Sequence, residues 1–312
     1  MFKTPSYQYR LGLPAWAFEG WQNKYFEAKP SRLASYATVF NSVEGNTTFY
    51  QIPSEKSVRE WSAELMQKDF KICFKLPKEV THKKTPDWEV LRIFLKRIEC
   101  LRNNLGPLLL VFPAKVSPAQ SAFIDSILSR IPDEFHFVVE VRHLGFFVKN
   151  NALSPILDKF RCHRVILDSR PIYFGDQHHP DVVLAKHEKP NVPVATRVFN
   201  NLAYIRLIMH PGGQNSEFIN QWATLVANYL QNDIETYMSI HCPNKLCCPE
   251  YAQQFHSALQ KKLGTGKIED LPTFPVPQQS NLLQYYPLMC CHLVKIFQQI
   301  CCVYSAFRRK IG

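Results

Sequence analysis

Charged side chains recur inside or just after short apolar segments of this sequence. Glu44 lies in FNSVEGNTTFY, Glu140 lies in FVVEVRH, and Asp168 ends the segment RVILD. A charge flanked by Val, Ile and Phe costs free energy unless it is paired or has a function. Carboxylates in such positions can act as general acids or bases, or can hold a divalent metal ion. We therefore predict Glu44, Glu140 and Asp168 as candidate catalytic residues.

Basic, amide and aromatic residues accompany these carboxylates and could bind a substrate. Arg142 follows Glu140 at a spacing that puts both on one face of a strand, as Asn46 does for Glu44. Guanidinium and ammonium groups bind phosphates and carboxylates, and aromatic rings can stack on a base or a sugar. The predicted substrate-binding residues are Trp16, Asn46, Tyr50, Lys75, Arg142, His143, Arg170, Arg206 and His241. A buried ionic network and an ordinary aromatic core are the structural alternatives.

The sequence signal for a metal site is weak. Neither an HxxxH spacing nor paired CxxC motifs occur. His241, Cys242, Cys247 and Cys248 are close together, but their spacing does not match a zinc knuckle. We interpret these cysteines as buried or loop thiols. A divalent metal held by the carboxylates is retained as one variant of the chemistry, with its identity open.

Eight β-rich segments would position these residues. They are 9–14, 41–46, 71–76, 108–112, 137–141, 164–167, 203–209 and 235–240. Several, such as LLLVF and FVVEV, are nearly continuous apolar runs, which is typical of parallel strands covered on both faces. In a barrel of such strands the active site lies at their C-terminal ends, where most of the polar residues above fall.

The segments between the strands have helical period. Residues 87–102 and 217–231 each place their apolar side chains on one stripe. Alternating strands and helices allow a closed barrel or an open doubly wound sheet. Eight repeats, and no GxGxxG motif after the first strand, favour the barrel. The prediction is an α/β fold, a (β/α)8 TIM-type barrel. Its unit between strands six and seven, residues 170–201, is irregular, shows no clear helix and could be a lid or an edge loop.

The C-terminal part differs in composition. We predict a barrel over residues 1–283 and an atypical Cys-rich, basic extension over residues 284–312, which holds four of the ten cysteines and no acidic residue. The apolar stretch at 288–307 has about the length of a membrane span. Lys295 near its middle would cost about 3 kcal/mol in a bilayer. An amphipathic helix or an unstructured extension is therefore favoured over a membrane span.

The N-terminus and the overall charge limit the possible cellular location and binding partners of the protein. No apolar core followed by a small-residue cleavage site occurs at the N-terminus, so no secretory signal is predicted. A cytoplasmic location and reduced thiols are the resulting expectations. The net charge of +11 is moderate, and the sequence contains no dedicated run of Lys and Arg residues. It fits either a solvated basic surface or an attraction to phosphates and nucleic acid.

The segments that carry these residues also resemble a known family. In order from about Tyr9 to Leu283, they are GLPAWAFEGW, FNSVEGNTTFY, FKICFKLPKEVTH, VVEVRHLGFF, RVILDSRP, KPNVPV, AYIRLIMH and PQQSNLL. They are similar to the YecE-like family, a bacterial family also called domain of unknown function 72. The resemblance implies a β/α barrel without an established activity. It also implies a pocket formed by Glu44, Asn46, Tyr50, Glu140, Arg142 and Asp168. The sequence departs from the family pattern beyond Leu283.

Two functions are compatible with these residues. In the first, the protein is an enzyme, such as a hydrolase or a lyase, that acts on a phosphorylated or other small anionic substrate by acid–base or metal-assisted chemistry. Glu44 or Glu140 would then be the general acid or base, and arginines would hold the anion. In the second, the basic rim of the barrel binds nucleic acid through its phosphates without catalysis. A membrane partner is not expected.

Overall fold

Eight parallel β-strands form the centre of the protein. The computed structural model describes residues 7–27 and 31–274. The strands are β1 (Tyr9–Leu13), β2 (Ser42–Gly45), β3 (Lys71–Phe74), β4 (Leu108–Val111), β5 (Phe137–Glu140), β6 (His163–Asp168), β7 (Leu202–Ile208) and β8 (Glu235–His241). Each predicted segment overlaps one of these strands, with bounds that differ by one or two residues, and nearly all of the strand residues are buried. This burial on both faces explains the continuous apolar runs in the sequence.

The strands close into a barrel. Neighbouring strands pair in the order β3-β2-β1-β8-β7-β6-β5-β4. Across the remaining gap, two backbone hydrogen bonds connect β3 and β4 each with a residue that flanks the other strand. Gly106 N donates to Ile72 O at 2.9 Å, and Leu76 N donates to Leu109 O at 3.0 Å. An open doubly wound sheet has no such connection between its edges, so the predicted (β/α)8 barrel is confirmed.

Ten α-helices lie between and after the strands in the described part of the chain. They are α1 (Arg32–Tyr36), α2 (Glu55–Leu65), α3 (Lys78–Thr81), α4 (Trp88–Ile98), α5 (Ser121–Leu128), α6 (Ser154–Lys159), α7 (Arg170–Phe174), α8 (Pro180–Lys186), α9 (Ser216–Gln231) and α10 (Cys248–Leu263). Side-chain caps fix several of their starts. Ser54 Oγ accepts a hydrogen bond from Ser57 N at 3.0 Å, and Asp87 Oδ1 accepts one from Val90 N at 3.1 Å. Each cap satisfies an N–H group that has no partner inside its helix.

The irregular unit between β6 and β7 is partly helical, so the prediction of no clear helix at 170–201 is wrong. Helices α7 and α8 are five and seven residues long, too short to show the repeated apolar stripe on which the prediction relied. Each has a proline within its first two positions, where a missing N–H group does no harm. Residues 187–198 then lead to β7 without helix or strand. Ala185 of α8 packs in a buried cluster that contains Ile208 of β7.

The predicted extension at 284–312, its apolar stretch and the predicted boundary at residue 283 lie outside the described residues. Across residues 7–27 and 31–274, no helix has both the length and the apolar character needed to cross a membrane.

Candidate functional site

The inside of the barrel changes from apolar to charged along its axis. Side chains that include Cys73, Val111, Val165 and Tyr204 pack there in one buried cluster. Tyr204 stacks on Tyr237, with the ring centroids 5.8 Å apart. These residues form an apolar and aromatic floor beneath the charged residues that follow toward the C-terminal ends of the strands.

The register of the strands explains why the charged residues meet. Glu44 on β2 pairs with Cys73 on β3, and Glu140 on β5 pairs with Val111 on β4. Paired residues of neighbouring strands share a face of the sheet, and Cys73 and Val111 face the interior. Glu44 and Glu140 therefore point into the barrel, where Arg206 reaches both of them from β7.

Arg206 lies between two buried carboxylates. Its Nε and Nη2 donate to Oε2 and Oε1 of Glu44, each at 2.9 Å, and its Nη1 donates to Oε2 of Glu140. All three side chains are buried. The fork of the guanidinium matches the carboxylate of Glu44, which makes this pair both strong and directional. We call Glu44, Arg206 and Glu140 the ion triad.

Residues around the ion triad complete its hydrogen bonds. Asn46 Nδ2 donates to Glu44 Oε1 at 2.9 Å, and Arg142 Nε donates to Glu140 Oε1 at 2.8 Å. Nε2 of His241 lies 3.4 Å from Glu44 Oε2. Each of the four carboxylate oxygens thus has a partner, and the predicted pairings of Glu44 with Asn46 and of Glu140 with Arg142 on shared faces are confirmed.

The two carboxylates are held in their ionised form. Burial alone would raise the pKa of Glu140, but the charges of Arg206, Arg142 and Lys75 outweigh it and lower the pKa to about 2. Burial also acts to raise the pKa of Glu44, and Arg206 and His241 hold it well below its ordinary value. Neither group is suited to taking up a proton near neutral pH, so their main effect is to orient the cations around them.

A cavity opens above the ion triad at the C-terminal end of the barrel. Its volume is about 680 Å³, which suits a small organic molecule. The predicted site residues that line it are Asn46, Tyr50, Lys75, Arg142, Arg206 and His241. Tyr50 stands at the rim, because its side chain is 70% exposed. The structure thus brings six predicted residues together, with Glu44 and Glu140 beneath them.

Lys75 is fixed at the wall of this cavity, directly after β3. Its N–H donates to Gly45 O at 3.1 Å, and its carbonyl oxygen accepts from Thr48 Oγ1 at 2.6 Å. Its Nζ lies 3.7 Å from the centroid of the Phe49 ring. Within the described residues, no carboxylate oxygen lies within 4.0 Å of this nitrogen. Burial lowers the pKa of Lys75 to about 8, and the charge of Arg206 adds to the effect.

Lys189 is a second cation of the cavity, and the sequence pattern did not single it out. It lies between α8 and β7, where no regular element marks which side chains point inward. In the part of the chain that is described, it has no carboxylate partner within 4.0 Å. Burial lowers its pKa, and the charges of Arg206 and Arg142 act in the same direction.

His82 also lines the cavity and is absent from the predicted set. Its position after β3, at the end of the barrel where active sites lie, could have identified it from the sequence. Its Nδ1 lies 2.8 Å from Thr81 Oγ1, and its ring meets Phe49 edge-on with the centroids 4.8 Å apart. Burial lowers the pKa of His82 to about 4, helped by the charge of Lys75. The imidazole is therefore neutral near pH 7.

Trp16 and His143 do not line the cavity. Trp16 packs edge-on against Trp61 of α2, with the ring centroids 5.1 Å apart. His143 caps the 3-10 helix Leu144–Phe147, where its Nδ1 accepts a hydrogen bond from Gly145 N at 3.0 Å. Both residues occur beside strand ends, as the sequence predicts, but their side chains are used in packing and capping.

Asp168 and Arg170 also lie away from the cavity, because Asp168 points to the outside of the barrel. Leu167 pairs with the inward-pointing Arg206, so the next residue faces the opposite side. There Asp168 Oδ2 accepts from Trp222 Nε1 on α9 at 2.7 Å and from Arg170 Nη2 at 2.7 Å. The pair links β6 and α7 to α9, so the predicted grouping of Asp168 with Glu44 and Glu140 is corrected.

The structure does not assemble a metal-ligand set from the described residues. Across residues 7–27 and 31–274, no group of three or more His, Cys, Asp and Glu side chains is arranged to hold a metal ion. The carboxylates of the ion triad face the guanidinium of Arg206, which would repel a cation. Cys242 and Cys248 are buried free thiols, and Cys247 is half-buried.

The balance of charge around the cavity favours an anion. Five positive groups line the cavity, against Asp181 and Glu188 of its lining and the two carboxylates of the ion triad beneath it; the positive groups are Lys75, Arg142, Lys189, Arg206 and Lys245. The arginines are already paired with those carboxylates, whereas the lysines are not. An incoming phosphate or carboxylate would thus meet Lys75 and Lys189, which lack a counter-charge within the described residues.

Comparison with known proteins identifies relatives along most of the chain. The family described as "Protein of unknown function DUF72" matches residues 10–276. A protein named YecE from Escherichia coli K12 is 32% identical over 278 residues, which cover 87% of this chain and 98% of that protein. The protein of the same name from Escherichia coli O157:H7 has the same identity and coverage.

Solved structures of DUF72 family proteins share the fold. The one from Enterococcus faecalis has a TM-score of 0.64 and 20% identity, covering 86% of this chain and 99% of that one. The one from Thermotoga maritima has a TM-score of 0.60 and 19% identity, covering 81% and 99%. At this level of identity the similarity concerns the fold alone.

Proposed function

The chain belongs to the DUF72 family of proteins of unknown function, and we propose that its barrel mouth binds a small organic anion and acts on it by acid–base chemistry. The observation that carries the proposal is the position of Lys75 and Lys189. Both line the cavity above the ion triad, and neither has a carboxylate partner among the described residues. A phosphate ester or a carboxylate would supply the missing counter-charge.

The ion triad gives this site its rigidity. Glu44 and Glu140 are saturated with hydrogen bonds from Arg206, Asn46 and Arg142. Rearrangement of such a cluster costs much free energy, because any freed charge would stay buried without a partner. We assign the two glutamates to positioning the arginines, since their lowered pKa values make them weak bases.

Proton transfer falls to Lys75 and His82. A pKa of about 8 lets Lys75 exist in both protonation states near neutral pH, which suits a general acid or base. His82 also contacts the Phe49 ring, and its neutral imidazole can donate or accept a hydrogen bond while a proton moves between Lys75 and a bound molecule. Lys189 carries the charge that holds the anionic group in place.

Two alternatives fit the site less well. Metal-assisted chemistry would need oxygen or nitrogen ligands, but the carboxylates here are taken up by arginines. Binding of nucleic acid by phosphate contacts would place its cations on an open surface. Here the unpaired lysines lie inside a cavity whose rim also carries Asp181 and Glu188.

The test measures binding of inorganic phosphate to the full chain by calorimetry. Wild type should bind phosphate, and Lys189→Met should weaken the affinity at least about tenfold, because one unpaired cation is lost from the cavity. The matched control is Lys78→Met, since Lys78 is exposed and does not line the cavity. A screen of phosphorylated and carboxylated metabolites, followed by mass spectrometry of the incubated hits, then checks for turnover.

Two results would contradict the proposal. One is wild type that binds no phosphate or carboxylate in the screen. The other is phosphate binding that Lys78→Met weakens as much as Lys189→Met does. Strong binding of DNA or RNA that falls steeply with salt, together with no binding of small anions, would instead favour the nucleic-acid alternative.

A further inference from the structure

The substrate class can be narrowed by the chemistry open to Lys75. We propose that this site takes an anionic substrate with an aldehyde or ketone group, and that Lys75 Nζ forms an imine with its carbonyl carbon. The inference rests on the proposed function, because the anionic group must bring the carbonyl group into the cavity. It concerns a covalent step that binding alone does not require.

The placement of Lys75 suits a nucleophile. Its backbone is held on both sides, by Gly45 O and by Thr48 Oγ1, so the side chain starts from a fixed point on the barrel wall. The ring of Phe49 shields one side of Nζ at 3.7 Å from the ring centroid. No carboxylate of the described residues neutralises it, and the cavity lies in front of it. An amine in such a place is accessible to a ligand but poorly solvated.

Burial and the charges around Lys75 determine what fraction of its side chain is present as the neutral amine. Burial and the charge of Arg206 favour the neutral amine, and Arg142 acts in the same direction. The carboxylates of Glu140 and Glu44 oppose them. The net effect lowers the pKa to about 8. At pH 7 the neutral fraction is then about 200-fold larger than for a lysine with an ordinary pKa of about 10.4.

The step balances without an oxidant or a reductant. The ammonium group of Lys75 first gives up a proton, and its nitrogen lone pair then forms a bond to the carbonyl carbon. The oxygen of the former carbonyl group takes up that proton to give a carbinolamine. A proton then moves from the nitrogen to the hydroxyl group, which leaves as water while the nitrogen lone pair closes the C=N bond of the iminium ion. One ammonium group and one carbonyl group thus yield one iminium ion and one water molecule.

The neighbouring residues divide the remaining tasks. His82 can carry the proton between nitrogen and oxygen, because its imidazole is neutral and lines the same cavity. Its Nδ1 is engaged by Thr81, and Nε2 has no hydrogen-bond partner within the described residues. Lys189 lies on a segment without regular structure, and we assign it to the anionic group of the substrate.

The experiment uses pyridoxal 5′-phosphate as the probe, because it carries an aldehyde and a phosphate and its imine absorbs visible light. The full chain is incubated with the probe at pH 7, reduced with sodium borohydride, digested and mapped by mass spectrometry. Lys75 should be labelled at least about tenfold faster than the exposed Lys78 and than Lys189. Inorganic phosphate should slow the labelling of Lys75, and pyridoxal without phosphate should label it more slowly.

The variant Lys75→Arg tests imine formation separately from anion binding. The variant keeps a cation that Lys75→Met would remove, so it should bind inorganic phosphate more tightly than Lys75→Met does. It should lose the visible imine absorbance and the label at this position. Lys78→Arg is the matched control and should leave both signals unchanged, because Lys78 lies outside the cavity.

The outcomes distinguish the two proposals. If phosphate binds and depends on Lys189, but Lys75 is labelled no faster than Lys78, the imine is wrong and the anion site stands. The imine at Lys75 is equally wrong if Lys189 is labelled in its place. If phosphate neither binds nor slows the labelling, the proposed function fails, and the imine proposal fails with it.

Discussion

Glu44 and Arg206 join opposite parts of the barrel through two hydrogen bonds of 2.9 Å each. Their strands, β2 and β7, are not neighbours, since β1 and β8 lie between them. The pair therefore crosses the interior, and Glu140 extends it to β5. Three separate strands are tied together by a single guanidinium, which makes Arg206 the residue on which the geometry of the cavity floor most depends.

Replacement of this guanidinium should destabilise the protein strongly. Arg206→Met leaves two buried carboxylates without their shared partner, which typically costs about 3–5 kcal/mol of unfolding free energy. Arg142→Met should cost less, about 1–3 kcal/mol, because Glu140 would still accept a hydrogen bond from Arg206. Urea unfolding of the two variants measures the difference.

Two further variants control for this result. Arg92→Met removes an ion pair with Glu89 in which both side chains are exposed, and it should cost no more than about 1 kcal/mol. The triple change Glu44→Leu, Glu140→Leu and Arg206→Met removes all three charges and should recover much of the lost stability. Equal stability of Arg206→Met and wild type would contradict the burial of the ion triad.

Much of the barrel could be predicted from the sequence because its strands are buried on both faces. Segments such as LLLVF at β4 and FVVEV at β5 have too few polar residues to be surface strands, and they alternate with helical stripes. The short helices α7 and α8 could not be found in the same way. One or two turns do not repeat an apolar position often enough to show a period.

The spacing of polar residues predicted which of them share a face, but it did not predict which face points into the barrel. Glu140 and Arg142 are two positions apart, so they lie on one face. Arg170 follows Asp168 at the same spacing, yet a strand buried on both faces does not reveal which of its residues point inward. Only the register with Arg206 on β7 settles that question. Lys189 lies outside any regular element, so no spacing could assign it.

The outward position of Asp168 leads to a prediction that separates stability from ligand binding. Asp168→Asn loses the charge that holds Arg170 and weakens the acceptor of Trp222 Nε1. We expect a loss of about 1–3 kcal/mol of unfolding free energy, because buried partners are left poorly satisfied. Phosphate affinity should stay within about twofold of wild type in calorimetry. A large loss of affinity in a variant that remains folded would return Asp168 to the site.

The titration of His241 should be visible in the stability of the protein. Burial lowers its pKa to about 4, the charge of Arg206 acts in the same direction, and Glu44 opposes them. The unfolded chain therefore takes up a proton at a higher pH, near 6.5, than the folded protein does. The contribution of His241 to the unfolding free energy is fully present above about pH 6.5. As the pH falls toward 4, the unfolding free energy decreases by about 3 kcal/mol because of this residue.

The measurement compares urea unfolding of wild type and His241→Gln at pH 7, 6, 5 and 4. The variant should show the shallower decline, since it no longer has this proton to bind. His82 contributes a decline in the same direction in both proteins, because its pKa is also lowered to about 4. The informative quantity is thus the difference between the two curves. Parallel curves would mean that His241 titrates alike in the folded and unfolded chains.

Sulfate provides a direct reading of Lys75, because its own charge stays constant between pH 7 and 9. Lys75 has a pKa of about 8, so it is mostly protonated at pH 7 and mostly neutral at pH 9. If sulfate binds beside the protonated amine, its affinity should fall about tenfold over this range. Lys75→Arg should flatten the profile, since a guanidinium keeps its charge over this range. Lys75→Arg combined with Lys189→Arg should remove the dependence, whereas Lys78→Arg should keep the wild-type profile. Sulfate affinity in wild type that does not change with pH would show that Lys75 is not part of the anion site.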